Sequence, residues 1–107
     1  MFGFPCPYLS GEVGLTEERE RHIAERHPDL LPEHRPRIAE TLADPDLVRR
    51  SNRGNARLLS RWYTDLRGGK HVVVVVASDP EGQGSHWIIT AYMARRLAEG
   101  AVEWKRN

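Results

Sequence analysis

The sequence predicts an α+β domain in which two N-terminal helices pack on one face of an antiparallel sheet. Three observations predict it. The stretch from His71 to Tyr92, HVVVVVASDPEGQGSHWIITAY, sets two apolar runs rich in β-branched residues around a loop of turn formers, the pattern of a central hairpin. Thr16 precedes Glu17 and Glu18, as a helix N-cap precedes the acidic residues that its dipole favours. Beyond residue 46, strand-like segments alternate with glycine- and asparagine-containing turns.

In chain order, residues 1 to 8 read as a loose lead-in and Leu9 to Gly14 as a short edge strand. The first helix ends at His27, because Pro28 disfavours helical geometry in the residue before it. It places Arg19, His22 and Arg26 on one strip, with Ile23 and His27 on the strip beside it. A second helix runs from about Glu33 to Ala43, with Pro36 tolerated in its first turn and Ile38, Ala39 and Leu42 as its buried face. Asp44-Pro45-Asp46 ends it. Leu47 and Val48 begin a strand, Ser51-Asn52-Arg53-Gly54-Asn55 turns, Arg57 to Thr64 is extended, and Gly68-Gly69 turns into the hairpin. Strict alternation then assigns Trp87, Ile89, Ala91 and Met93 to the core and His86, Ile88, Thr90 and Tyr92 to the opposite face. Ala94 to Glu99 reads as a helical turn ending at Gly100, and Ala101 to Lys105 as a last strand with Val102 and Trp104 facing one way.

A chain of 107 residues has room for one domain with a modest core. No apolar run approaches the roughly 20 residues of a spanning helix, and the opening MFGFPCPYL lacks a basic leader, so neither a membrane partner nor a signal peptide is expected. The single cysteine, Cys6, excludes an internal disulfide, is compatible with a reducing cytoplasm, and near a loose terminus is read as inert. Net charge is only +1, but its sign is unevenly spread. Glu12 to Asp46 holds ten acidic and five basic residues, whereas Arg49 to His71 holds seven basic residues against Asp65 alone. A basic middle third suits a polyanion. Fourteen of the sixteen basic residues are arginine, whose planar fork matches phosphate, although genome base composition accounts for such an excess equally well.

Five histidines invite a metal, but their spacing does not fit one. His22 and His27 diverge by about 140° on a helix, no HEXXH is present, and one cysteine allows no zinc knuckle. No glycine-rich phosphate loop precedes a helix, and no cofactor is expected. What remains is a set of groups able to cleave RNA without a metal: a base for the ribose 2′-hydroxyl, an acid for the leaving 5′-oxygen, and donors around the phosphorane. The candidates are His22, Arg26 and His27 on the first helix and His86, Thr90 and Tyr92 on the central strand, with Arg57, Arg61 and Lys70 from the basic middle. Each has a plainer role open to it: His27 as a helix cap, His22 as a solvated residue, His86 as a strand-start residue, the arginines as solubilising charge.

His22-Ile23, then Arg26-His27-Pro28, then Asp44-Pro45-Asp46, a valine-rich strand, and Ile88-Ile89-Thr90-Ala91-Tyr92 together resemble the BECR group of nucleases, which joins barnase, EndoU, the tRNA-cleaving colicins and the RelE toxins. The resemblance covers roughly residues 16 to 105 and is nearest to the small phage and bacterial branches of that group. It implies helices on a four- or five-stranded antiparallel sheet and metal-independent endoribonuclease activity. With the histidine, threonine and tyrosine set beside a basic segment, the leading expectation is an endoribonuclease acting on a tRNA or mRNA, of the toxin kind that an antitoxin or immunity protein holds in check. The resemblance carries a helix histidine onto His22 or His27, a basic strand residue onto Arg61 or Lys70, and a late-strand hydroxyl pair onto Thr90 and Tyr92. His86 has no place in its pattern. The alternatives are an inactive RNA-binding or protein-interaction domain on the same scaffold, and a structural domain of a phage or mobile-element protein.

Overall fold

The computed structural model describes residues 2–52, 56–80, 84–98 and 100–107. The chain opens on a hairpin, not on a loose lead-in. Strand β1 (Phe2–Cys6) pairs antiparallel with β2 (Gly11–Leu15) across a 3-10 turn at Pro7–Leu9 and Ser10, whose φ of 57° is left-handed. β1 is a sheet edge, where Pro5 has no ladder bond to donate. Its Phe4 and Cys6 and β2's Val13 and Leu15 are all buried. Cys6 therefore sits in the core, and burial pushes its thiol pKa up.

Helices α1 (Glu17–Arg26) and α2 (Arg35–Ala43) follow, then β3 (Leu47–Arg50), β4 (Arg57–Tyr63), β5 (Lys70–Ser78), β6 (His86–Ala94) and β7 (Ala101–Lys105). They build one seven-stranded sheet in the order β1-β2-β6-β5-β4-β3-β7. β2 and β6 are parallel and the other pairs antiparallel. This corrects the expected four- or five-stranded antiparallel sheet behind N-terminal helices: the sheet is larger and mixed, and a strand hairpin precedes the helices. Nor do the helices share one kind of contact. α2 packs across β1, β4 and β5, while α1 packs against β6. The parallel pair joins Val13 to His86 and Gly14 to Trp87 and goes no further. The later half of β6 is left without a strand neighbour on that side, and α1 occupies the place.

The helix ends follow the chemistry of their caps. Thr16 Oγ1 accepts the Arg19 N–H at 3.1 Å, and the His27 N–H closes the last turn on the Ile23 carbonyl. In α2 the buried residues are Ile38, Thr41 and Leu42, with Ala39 only partly covered. Their floor is Leu59 and Tyr63 of β4, Val72, Val74 and Val76 of β5, and Ile88 and Ala91 of β6. Each fully buried leucine, isoleucine or valine in this set contributes about 1.5–3 kcal/mol. Gly69, at φ 110°, lets the turn into β5 pass directly under the Trp62 indole, where a Cβ would collide with the ring.

Two bulges overturn the expected facing of side chains. Along β5 and β6 the register shifts so that Val76 faces Ile88 and Val75 faces Thr90, leaving Ile89 as the extra residue. Ile88, Ala91 and Met93 then belong to the core, while Trp87 and Ile89 are exposed. Trp87 now shares a face with Thr90 and Tyr92, because all three lie opposite the odd-numbered residues of β5. Between Val48 and Arg49 a second shift puts Trp104 opposite Val48 and Val102 opposite Arg49, so Trp104 and Val102 point to opposite faces.

From Ala94 to Ala101 the chain crosses the sheet without a helical turn among its described residues. Arg49, only 4% exposed, ties this crossover down by donating from Nη1 to the Ala98 carbonyl at 2.5 Å. The predicted turn at Arg53, Gly54 and Asn55, the loop residues Glu81, Gly82 and Gln83, and Glu99 lie outside the described residues. No helix among the described residues is long and apolar enough to cross a membrane.

Candidate functional site

Where α1 lies along β6, a cleft of about 510 Å³ opens between them, lined by Arg19, His22, Ile23, Arg26, His27, Ile89 and Thr90. The helix wall is made of the two strips that the spacing predicts, Arg19–His22–Arg26 and Ile23–His27, because residues three and four apart share a helix face. The strand wall exists because the bulge turns Ile89 out of the core pattern. At the helix end, the His27 ring lies 6.0 Å from the Tyr92 ring, tilted by 38°, which brings the phenol beside the cleft. Five of the nine predicted site residues are thus brought together: His22, Arg26, His27, Thr90 and Tyr92.

Their polar groups are unengaged. Among the described residues, the side chains of His22, His27, Thr90 and Tyr92 have no hydrogen-bond partner, and Arg19 and Arg26 have no carboxylate partner. The other three histidines are occupied. His34 Nε2 is 3.0 Å from a Glu33 oxygen. His86 Nδ1 is 2.7 Å from Ser78 Oγ. The His71 ring meets the Trp62 ring edge-on at 4.8 Å, and burial holds its pKa below the usual imidazole value, with Asp46 opposing and Arg49 adding to the effect. On its other flank His22 borders a shallow hollow shared with Glu18, Arg21 and Glu25, so it stands between a cationic strip and an acidic one.

The remaining four candidates lie elsewhere. Arg61 donates to the Asp44 carbonyl at 2.8 Å and to its carboxylate at 3.0 Å. Arg106 and then Arg61 hold the Asp44 carboxyl below its ordinary pKa. Arg57 donates from Nε to Glu103 at 2.7 Å, and Arg50 and the Tyr8 hydroxyl reach the same carboxylate. Burial pushes the Glu103 pKa up, but these donors outweigh it and bring the value down to about 2. Lys70 starts β5 opposite Tyr63, and His86 with Ser78 lies at the far end of the β5–β6 pair from Ala94. None of the four lines the cleft.

Two residues of the cleft, Arg19 and Ile89, carry no site role in the sequence reading. Arg19 was on the predicted strip but was given no role, although its spacing to His22 and Arg26 was the available signal. Ile89 and its neighbour Trp87 were placed in the core, and no sequence signal marks the bulge that expels them. Among the described residues, no three His, Cys, Asp or Glu side chains are grouped as a metal ion would require. Set against protein-family models, curated proteins and solved structures, the chain matches none.

Proposed function

We propose that the cleft between α1 and β6 cleaves RNA by attack of the ribose 2′-hydroxyl on the adjacent phosphate, leaving a 2′,3′-cyclic phosphate. One observation carries this reading: two histidines from the front of the chain, whose ring nitrogens have no hydrogen-bond partner among the described residues, share a single cleft with arginines of the helix wall and a threonine of the strand wall. In the reaction one imidazole takes the 2′-hydroxyl proton as the oxygen attacks phosphorus, and the second protonates the departing 5′-oxygen. Two proton carriers that titrate near neutrality are what this exchange needs, and histidine is the side chain that supplies them. Arg19 and Arg26 hold the phosphate, and the Thr90 hydroxyl donates to a non-bridging oxygen as charge builds on it. The Tyr92 phenol, beside His27, borders the same reacting group.

The test is digestion of total RNA by the purified protein in EDTA, with the fragment ends identified. Fragments ending in 2′,3′-cyclic phosphate are expected. A combined His22→Ala and Thr90→Ala variant should lose at least about 10³-fold in rate, from the usual worth of one acid–base group and one oxyanion donor. Cleavage that requires added magnesium, or that survives the double change, refutes the reading.

A further inference from the structure

We infer that Trp87 is a stacking platform for an unpaired base, so that the nucleic acid entering the cleft is single-stranded. This rests on the cleft being a nucleic-acid site and adds what kind of strand it takes.

The chain has three tryptophans, and two of them are spoken for. Trp62 donates from Nε1 to Thr64 Oγ1 and meets the His71 ring, and Trp104 packs against Tyr8 with ring centroids 6.0 Å apart. Trp87 has neither a ring contact nor a hydrogen bond among the described residues, and it is 44% exposed. Trp62 at 42% and Trp104 at 38% are about as open to water, so what sets Trp87 apart is the indole's lack of a partner among the described residues and its place beside the cleft strand.

Its position says what covers it. The bulge at Ile89 puts Trp87 opposite Ala77 and Thr90 opposite Val75, next to one another on one sheet face. Successive same-face positions on a strand are about 6.5–7 Å apart, close to the spacing of neighbouring bases on an extended strand. Ala77, across from the indole, is small. Arg19 and Arg26, without carboxylates, sit across the cleft from Thr90 and supply the charge that a polyanion requires. An aromatic face beside an unmatched cationic strip is how proteins hold single strands: the cations follow the backbone and the ring takes a base of any identity. In a duplex the bases are already stacked on each other, so no base face is free for the indole.

The experiment uses the full chain carrying Trp62→Phe and Trp104→Phe, so that its emission reports Trp87 alone, and a short 2′-O-methyl RNA, which lacks the attacking hydroxyl. The single strand should quench the emission on binding, and the same sequence as a duplex should bind more weakly without quenching. Trp87→Ala should weaken single-strand binding by about 5- to 100-fold, and Trp87→Phe should restore most of it, the range that base–aromatic stacking spans. No quenching, equal binding by Trp87→Ala, or equal binding of the duplex overturns the inference. So does a concentration-dependent shift in Trp87 emission without any oligonucleotide, since a second copy of the chain would then be its cover. Cleavage separates this inference from the one beneath it. Quenching of Trp87 by the single strand, together with weaker filter binding of that strand by Trp87→Ala, in a protein that cuts no RNA, upholds the platform while the nuclease reading fails. Unaltered KM and rate in Trp87→Ala, in a protein that does cut RNA, removes the platform and keeps the nuclease.

Discussion

Arg35, Arg37, Arg50, Arg57, Arg61 and Arg106 each face a carboxylate, supplied by Glu20, Asp65, Glu103, Asp44 or Asp46. Arg19 and Arg26 in the cleft, and Arg95 and Arg96 on the crossover, have none among the described residues. The side chain is the same in both groups, but four of the six matched arginines are half-buried against their partners while the unmatched four are exposed, and only the second group has charge to offer a ligand. The difference arises in the fold. Asp44, from the acidic first half, and Glu103, from the last strand, come back onto Arg50, Arg57 and Arg61 of the basic middle third and match them. A run of positive charge along a sequence is therefore a poor guide to where a polyanion binds, because pairing between distant segments decides which cations remain free.

The largest expected effect sets these two groups against each other. Arg19→Ala with Arg26→Ala should reduce kcat/KM on RNA by about 10²- to 10³-fold, as loss of preorganised donors does elsewhere, while Arg57→Ala with Arg61→Ala should leave it within about threefold, as surface changes outside a site do. Steady-state cleavage of one labelled oligonucleotide measures both. If the second pair proves as damaging as the first, the division between matched and free arginines has no functional meaning.

A smaller effect, in stability, should appear on the matched side. Glu103 accepts from Tyr8, Arg50 and Arg57, and Glu103→Ala leaves those three donors without an acceptor, for a loss of about 1–3 kcal/mol. Its folded-state pKa lies near 2, below the ordinary value of 4.5. The carboxylate's contribution is therefore complete above about pH 4.5 and fades as pH falls towards 2. Its partner behaves in the opposite sense: burial, then Glu103, raises the Tyr8 pKa to about 12, so that contribution holds below pH 10 and is lost as pH rises to 12. Urea unfolding across pH should show the acid-side decline in the parent chain and a flatter profile in Glu103→Ala.

The smallest effect separates the groups by salt. Arg26→Ala should lower the slope of log affinity against log salt by about 1, one phosphate contact fewer, and Arg61→Ala should leave the slope as it was. Filter binding of an uncleavable oligonucleotide at several salt concentrations reads this directly.

Local signals were legible where local chemistry decides. Thr16 caps α1, His27 ends it before Pro28, and the valine-rich hairpin forms where turn residues divide two β-branched runs. The two helix strips that wall the cleft follow from spacing alone. What the sequence withheld depends on distant partners. Phe2–Cys6 contains a glycine and a proline and reads as irregular, but becomes a strand because Phe4 and Cys6 bury their side chains alongside Val13 and Leu15. The parallel contact of β2 with β6 carries no local mark. One extra residue at Ile89 reverses the parity of everything before it, so alternation counted along the strand placed Trp87 in the core and Ile88 outside it. Arg57 and Arg61 looked free because their carboxylates lie far away in sequence.

The two walls of the cleft come from distant parts of the chain and are joined through tertiary contacts: a parallel pairing of Val13 with His86 and Gly14 with Trp87, and the burial of Ile23 from α1 in one core with Ile88 and Ala91. One wall is made of residues 19 to 27 and the other of 89 to 92. A nascent polypeptide on the ribosome displays the histidine-bearing helix long before the threonine and tyrosine have been synthesised. Any truncation short of β6 leaves the imidazoles facing open water, so the complete groove belongs only to a chain that has been translated past Tyr92 and has folded back on its own beginning.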